Sequence, residues 1–188
     1  MSLAWIVVIV LAVIVLYAII VFNRLVRSRN LVREAWSGID VQLRRRSDLV
    51  PNLVEVVKGY AAHERGLFEE IAARRNSAVN AASVAGREAA ERELQASLRK
   101  LIAVAEAYPE LKANRNFLTL QQQLAQLEDQ LQMARRYYNG TVRDYNIGIQ
   151  SFPDVLIAGP LGFREEHFFE IEAGAGATPN VSFQASAP

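Results

Sequence analysis

The chain has no cysteine, which excludes a disulfide framework, a thiolate nucleophile and any metal site built on sulfur. Histidine is nearly as scarce, with only His63 and His167. His63-Glu64 opens a zinc-protease pattern, but Leu67 stands where that pattern needs its second histidine, so the spacing fails. There is no Walker A string and no glycine-rich dinucleotide turn, and the carboxylates are scattered without an evident constellation. Lysine is confined to Lys58, Lys100 and Lys112, so most of the 21 basic residues are arginine; set against 20 acidic residues they leave a net charge of +1. That balance gives no reason to invoke nucleic acid. No catalytic residue, metal ligand or cofactor site is assigned from the sequence.

Glycine and proline are absent between Leu3 and Ser37. Within that stretch, residues 3–22 form an unbroken apolar run, LAWIVVIVLAVIVLYAIIVF. Twenty residues at about 1.5 Å each span a hydrocarbon core of roughly 30 Å, so the run predicts a transmembrane anchor. A cleaved signal peptide has a basic start and a shorter apolar stretch, and this chain has neither. Arg24, Arg27, Arg29 and Arg33 crowd the C-terminal flank, so the short N-terminus is expected outside and the bulk of the chain in the cytoplasm.

The soluble part is patterned as helices. Leu25, Val32, Trp36, Ile39 and Leu43 lie on one stripe of a first helix continuous with the anchor. RRRSDLVPN is read as its end, with Ser47 or Asp48 capping a second helix that runs from Pro51 to about Asn80. A third runs from about Arg87 to Ala107 and is cut at Tyr108-Pro109. The fourth, from about Glu110 to Gln150, repeats Leu120, Leu124, Leu127, Leu131, Ala134 and Tyr138 in steps of four and three. These elements predict an all-α protein: an anchor (1–22), an antiparallel up-and-down four-helix bundle (23–150) and a mostly irregular tail (151–188). The turns at Arg44 to Pro51 and Tyr108 to Leu111 fall at the far tip, and the loop near Ala82 returns toward the lipid. The fourth helix is too long for the first, so either Gly140 breaks it or the bundle is staggered. In the tail, Phe152, Phe163, Phe168 and Phe169 suit the bilayer interface, packing back on the bundle or packing on a neighbouring subunit. AGAGATPN reads as a flexible linker, and NVSFQ as a segment that composition leaves disordered alone but able to add as an edge strand to another copy or a partner.

Three strings carry a resemblance. AWSGIDVQLRRRSDLVPNLVEVVKGYAAHE, EAYPELKANRNFLTLQ and RRYYNGTVRDYNIGIQSFP, in this order behind an anchor, closely resemble the LemA family. The resemblance implies a bacterial single-pass membrane protein with a short outside N-terminus and a helical-bundle body, with a related branch on magnetosome membranes. Gly140 and Pro160 depart from the family's usual pattern.

Several side chains stand out as structural or interaction candidates. Asp40, Arg44 and Asp48 are spaced for i,i+4 ion pairs, and Arg44, Arg45 and Arg46 read as a solvated helix end. Tyr108 and Pro109 build a turn. Glu128 and Arg135, seven residues apart beside the aliphatic stripe, read as a hydrogen-bonded network that fixes helix register. Tyr138-Asn139 and Tyr145-Asn146 repeat at the same interval, so each type stacks along one face. The leading functional reading is a non-enzymatic membrane scaffold whose partners are the lipid bilayer and further copies of itself. An envelope adaptor or sensor docking an unknown signalling, protease or transport protein is the alternative. A hydrolase centred on Glu128, Arg135 and Tyr138 is the third.

Overall fold

A computed structural model describes residues 3–170 of the chain. The linker and NVSFQ segment lie outside those residues. The protein is all-α: α1 (Leu3–Lys58), α2 (Arg65–Asn80), α3 (Val84–Glu106), the one-turn α4 (Pro109–Lys112), α5 (Arg115–Gln150) and the one-turn α6 (Val155–Ala158). Among the described residues there is no strand.

The first helix is far longer than its punctuation suggests. It does not stop at RRRSDLVPN but runs through Pro51 to Lys58, and the second helix therefore starts at Arg65 instead of Pro51. A proline inside a helix removes the hydrogen bond to the carbonyl four residues earlier, here that of Ser47. The side chain of Arg75 on α2 supplies the missing donor, its Nε lying 2.7 Å from the Ser47 oxygen. The true turn is at 59–64, where Gly59 and Tyr60 leave the helix.

Two cores stack along this long axis. The distal one joins Val50, Leu53 and Val57 of α1 to Phe68 and Ile71 of α2, Leu94, Leu98 and Leu101 of α3, Leu111 of α4 and Phe117 of α5. The proximal one joins Leu25, Val32, Ile39 and Leu43 of α1 to Leu131, Tyr138, Val142 and Tyr145 of α5, and is closed by Ala158, Phe163 and Phe169 from the tail. Helices α1 and α5 run through both, whereas α2 and α3 form a hairpin over the distal half. The loop at 81–83 thus sits beside the middle of α1, not near the lipid: Arg87, just past it, reaches Asp40, about 27 Å along the helix from Phe22. The bundle is staggered, and α5 passes through Gly140 unbroken. Where the hairpin is missing, the returning tail takes its place.

The ends are capped by short polar side chains. Ser83 accepts from the Gly86 amide at the start of α3, and Asn114 accepts from the Asn116 and Phe117 amides at the start of α5. Asn114 also donates to the Tyr60 hydroxyl at 3.1 Å, tying the two distal turns together. Tyr108 precedes α4 and Pro109 occupies its first turn, where no amide donor is missed.

The anchor portion is bare. Only 6% of its most apolar 18-residue window is buried within the protein, so it is not a core helix, which would be covered.

Arg75→Met should destabilise the protein by about 1–3 kcal/mol by leaving the Ser47 carbonyl unpaired in a half-dry site. In a Pro51→Ala background, whose amide restores the helical bond, the same substitution should cost much less. Thermal unfolding of the four members of this cycle in detergent checks the coupling.

Candidate functional site: a buried ion network and a clamped tail

Midway along the bundle lies a chain of charges. The Arg46 side chain is 1% exposed, donates through Nη1 to Glu128 of α5 at 2.6 Å and through Nη2 to Glu91 of α3. Glu91, also 1% exposed, faces Arg87 one turn earlier at 3.5 Å. Arg87 in turn donates to Asp40 at 2.9 Å and to the carbonyls of Ala78 and Val79, satisfying the open end of α2. Asp40 also accepts from Arg44 at 2.8 Å. Burial works against the Arg46 charge, but Glu128 and Glu91 outweigh it, and its pKa lies above the ordinary value. Three arginines, of which Arg46 and Arg87 are buried, and three carboxylates from α1, α3 and α5 thus fix one another.

The membrane-proximal half is held by a second device. Asn139 and Asn146 are two turns apart on α5, and each grips the backbone of one tail residue with its side-chain amide. Asn139 donates to the Phe169 carbonyl at 3.2 Å and accepts from the Phe169 amide at 2.9 Å. Asn146 does the same with Glu166, at 2.9 Å and 3.0 Å. Seven helical residues rise about 10.5 Å and three extended residues cover about 10 Å, so the heptad interval matches the tail's three-residue step. Between the clamps the Tyr138 hydroxyl donates to the His167 carbonyl at 2.8 Å. Burial, reinforced by the Glu166 charge, pushes the Tyr138 pKa to about 12, and the same two causes raise that of Tyr145. Trp36 completes the seam, its ring 5.6 Å from Tyr138 and 5.3 Å from Phe169.

The remaining candidates are dispersed. Arg44, Arg45 and Asp48 are exposed; Asp48 approaches Arg75 at 3.8 Å, not Arg44. Arg45 and Asp48 edge a polar cleft that Gln123, Gln126 and Gln130 of α5 face. Arg135 is half-buried and takes no part in the ion pairs of the network. Phe163 is buried against Phe22, with the Arg29 guanidinium 5.1 Å from its ring. Phe152 is 80% exposed. Glu128 and Tyr138 are ten residues apart, about 15 Å along one helix, so the three groups of the hydrolase reading do not converge. Among the described residues no three metal-ligating side chains gather, and both His63 and His167 are exposed.

Sequence reasoning misplaced Arg46 and passed over Arg87 and Glu91. Arg46 belongs not to a solvated end but to the centre of the core. The signal was present: Leu25, Val32, Ile39, Arg46 and Leu53 recur every seven residues, and the third helix's stripe of Leu94, Leu98 and Leu101 extends backward through Glu91 to Arg87 in steps of three and four. For Asp154, buried against Tyr17 and Arg24, no pattern in the chain gave notice.

The fold and its polar seams define a membrane protein with one apolar N-terminal helix continuous with an elongated helical body. The family model for the LemA family matches residues 35–183, and the chain belongs to that family. Its relatives include the magnetosome proteins MamQ 1 and MamQ 2 of Paramagnetospirillum magneticum (strain ATCC 700264 / AMB-1), each 26% identical over 174 residues. MamQ of Magnetospirillum gryphiswaldense (strain DSM 6361 / JCM 21280 / NBRC 15271 / MSR-1) is 24% identical over the same length. These matches cover 79% of this chain and 64% of each relative, so the chain spans a little under two thirds of the length of these curated relatives.

Arg46→Met should cost about 3–5 kcal/mol, because it strands Glu91 in the interior. Arg46→Met combined with Glu91→Leu should recover most of that loss in thermal unfolding. Asn139→Leu should release the tail, seen as faster amide hydrogen exchange at 163–169 with the exchange of α3 unchanged. For Tyr138 the folded pKa lies above the unfolded value near 10, so stability is full below about pH 10 and falls as pH rises toward 12. Tyr138→Phe should flatten this alkaline loss in a pH series of melting temperatures.

Proposed function

We propose that the protein is a non-enzymatic, membrane-anchored scaffold that assembles with copies of itself and organises a patch of bacterial membrane, its body in the cytoplasm. The observation that carries this reading is the continuity of α1: anchor and rod are one 56-residue helix, about 84 Å long with no hinge. Such an element couples the body stiffly to the anchor. The two polar seams support the same reading, since they tie α1, α3, α5 and the tail to one another in a single register. Met133 and Tyr137, one turn apart on α5 and 55% and 54% exposed, offer apolar surface outside the membrane for a neighbouring copy. Relatives named as magnetosome proteins agree with work on a specialised membrane.

The arginines after residue 22 support the cytoplasmic orientation. One feature favours the adaptor alternative, a groove of about 420 Å³ between α1 and α2, lined by Val50, Pro51, Val54, Phe68, Ile71 and Arg75. A partner helix with a short apolar face fits a groove of that kind.

The deciding measurement is particle mass of the full-length protein in native nanodiscs. A discrete mass several times 21.0 kDa, reduced by Met133→Glu with Tyr137→Glu, is the expected result. A monomer at cellular density would overturn the scaffold, and crosslinking that repeatedly recovers one unrelated protein at the α1–α2 groove would replace it with the adaptor.

A further inference from the structure

We propose that residues 151–162, the cap built around α6, form a second membrane contact, seated in the interfacial region of the leaflet from which α1 emerges. The proposal requires only that α1 crosses a bilayer, and it holds whether or not copies assemble.

Depth is the first argument. Asp154 is 4% exposed and is fixed to the anchor itself, accepting from the Tyr17 hydroxyl at 2.9 Å and pairing with Arg24. Tyr17 lies five residues before the end of the apolar run, about 7.5 Å inside it. Its neighbours Leu16, Ile19 and Ile20 are 52–60% exposed, facing whatever surrounds the anchor at that level. The cap is therefore held beside a part of α1 that only lipid suits.

Chemistry is the second. From Ser151 to Phe163 the sequence SFPDVLIAGPLGF holds one charged residue, and that residue is the buried, neutralised Asp154. What the cap shows outward is apolar: Phe152 is 80% exposed, Leu156 66%, Leu161 53% and Val155 42%. In water these side chains have nothing to cover them, whereas the headgroup and upper acyl region accepts them together with polar backbone.

The third argument is the backbone. The amides of Val155, Leu156, Ile157, Ala158, Leu161, Gly162 and Phe163 all donate to carbonyls within residues 151–159. A segment with its amides paired internally enters a poorly hydrated layer at little cost, and an open loop does not. The cap is joined to the anchor at Tyr17 and Arg24, level with the exposed Leu16, Ile19 and Ile20, so the occupant is the bilayer and not a second copy. Arg24, 58% exposed at its side chain, and the exposed Arg27 suit the phosphates of the same lipids.

The absence of cysteine makes the test direct. Nitroxide labels are placed singly at Leu156→Cys, Leu161→Cys and, as a distal control, Leu118→Cys, in the full-length protein reconstituted in vesicles of phosphatidylethanolamine and phosphatidylglycerol. Collision with oxygen, which concentrates in lipid, is compared with collision with a water-soluble nickel chelate. The expected result is a several-fold excess of oxygen over nickel accessibility at 156 and 161, and the reverse at 118. Nickel accessibility at 156 and 161 equal to that at 118 would overturn the proposal. Shielding of both sites from both reagents would overturn it too, since protein and not lipid would then cover the cap. Two label positions guard against a single substitution that disturbs the cap.

Discussion

Everything in the body of this protein is arranged around one guanidinium. Arg46 sits where a leucine would serve a simple coiled seam, and its charge can persist there only because Glu91 and Glu128 come to it from two other helices. A one-turn slip of α3 or α5 would move a carboxylate by about 5.4 Å and leave a buried cation alone, at a cost of several kcal/mol. An apolar residue at the same place would tolerate such slips. The network therefore contributes register more than stability. It also lies at the junction between the two cores, where the α2–α3 hairpin ends and the elongated two-helix part begins.

A pair of helices leaves apolar faces uncovered, and the lower half of α1 and α5 has no third helix. The tail solves that problem with only the single turn of α6 and otherwise irregular chain. An extended segment has unpaired amides and carbonyls, and the asparagines at a heptad interval supply partners to two of its residues. Phe163 and Phe169 then fill the space between α1 and α5. Aromatic side chains suit this role because each brings a large buried area at the loss of few torsions.

The helical nature of the chain, the apolar N-terminal helix, the third helix and the aliphatic stripe of α5 were legible because hydrophobic period is a local property, whereas the last helix, read from about Glu110, starts at Arg115 behind the separate turn α4. The end of α1 was not legible. RRRSDLVPN carries a capping residue, a charge run and a proline, and each is a sound local stop signal. The helix passes through them because Arg46 finds carboxylates and Ser47 finds Arg75, and both partners are remote in sequence. The stagger was legible only as a mismatch between helix lengths, since nothing local says that the hairpin ends level with Asp40. The repeated Tyr-Asn pair showed which face it occupied but not that it grips backbone. The partnership of Tyr17 with Asp154, 137 residues apart, belongs wholly to tertiary structure.

The unbroken passage of α1 from the bilayer into the body makes the protein a lever. The stretch from Asn23 to Lys58 is about 54 Å long, so a ten-degree change in anchor tilt sweeps the far end sideways by about 9 Å. Anchors tilt to match the thickness of the hydrocarbon around them. With α1 in a bilayer, a difference in lipid composition too small to alter any contact within the fold would be converted into a lateral displacement nearly as wide as a helix, delivered at the turns that Tyr60 and Asn114 hold together.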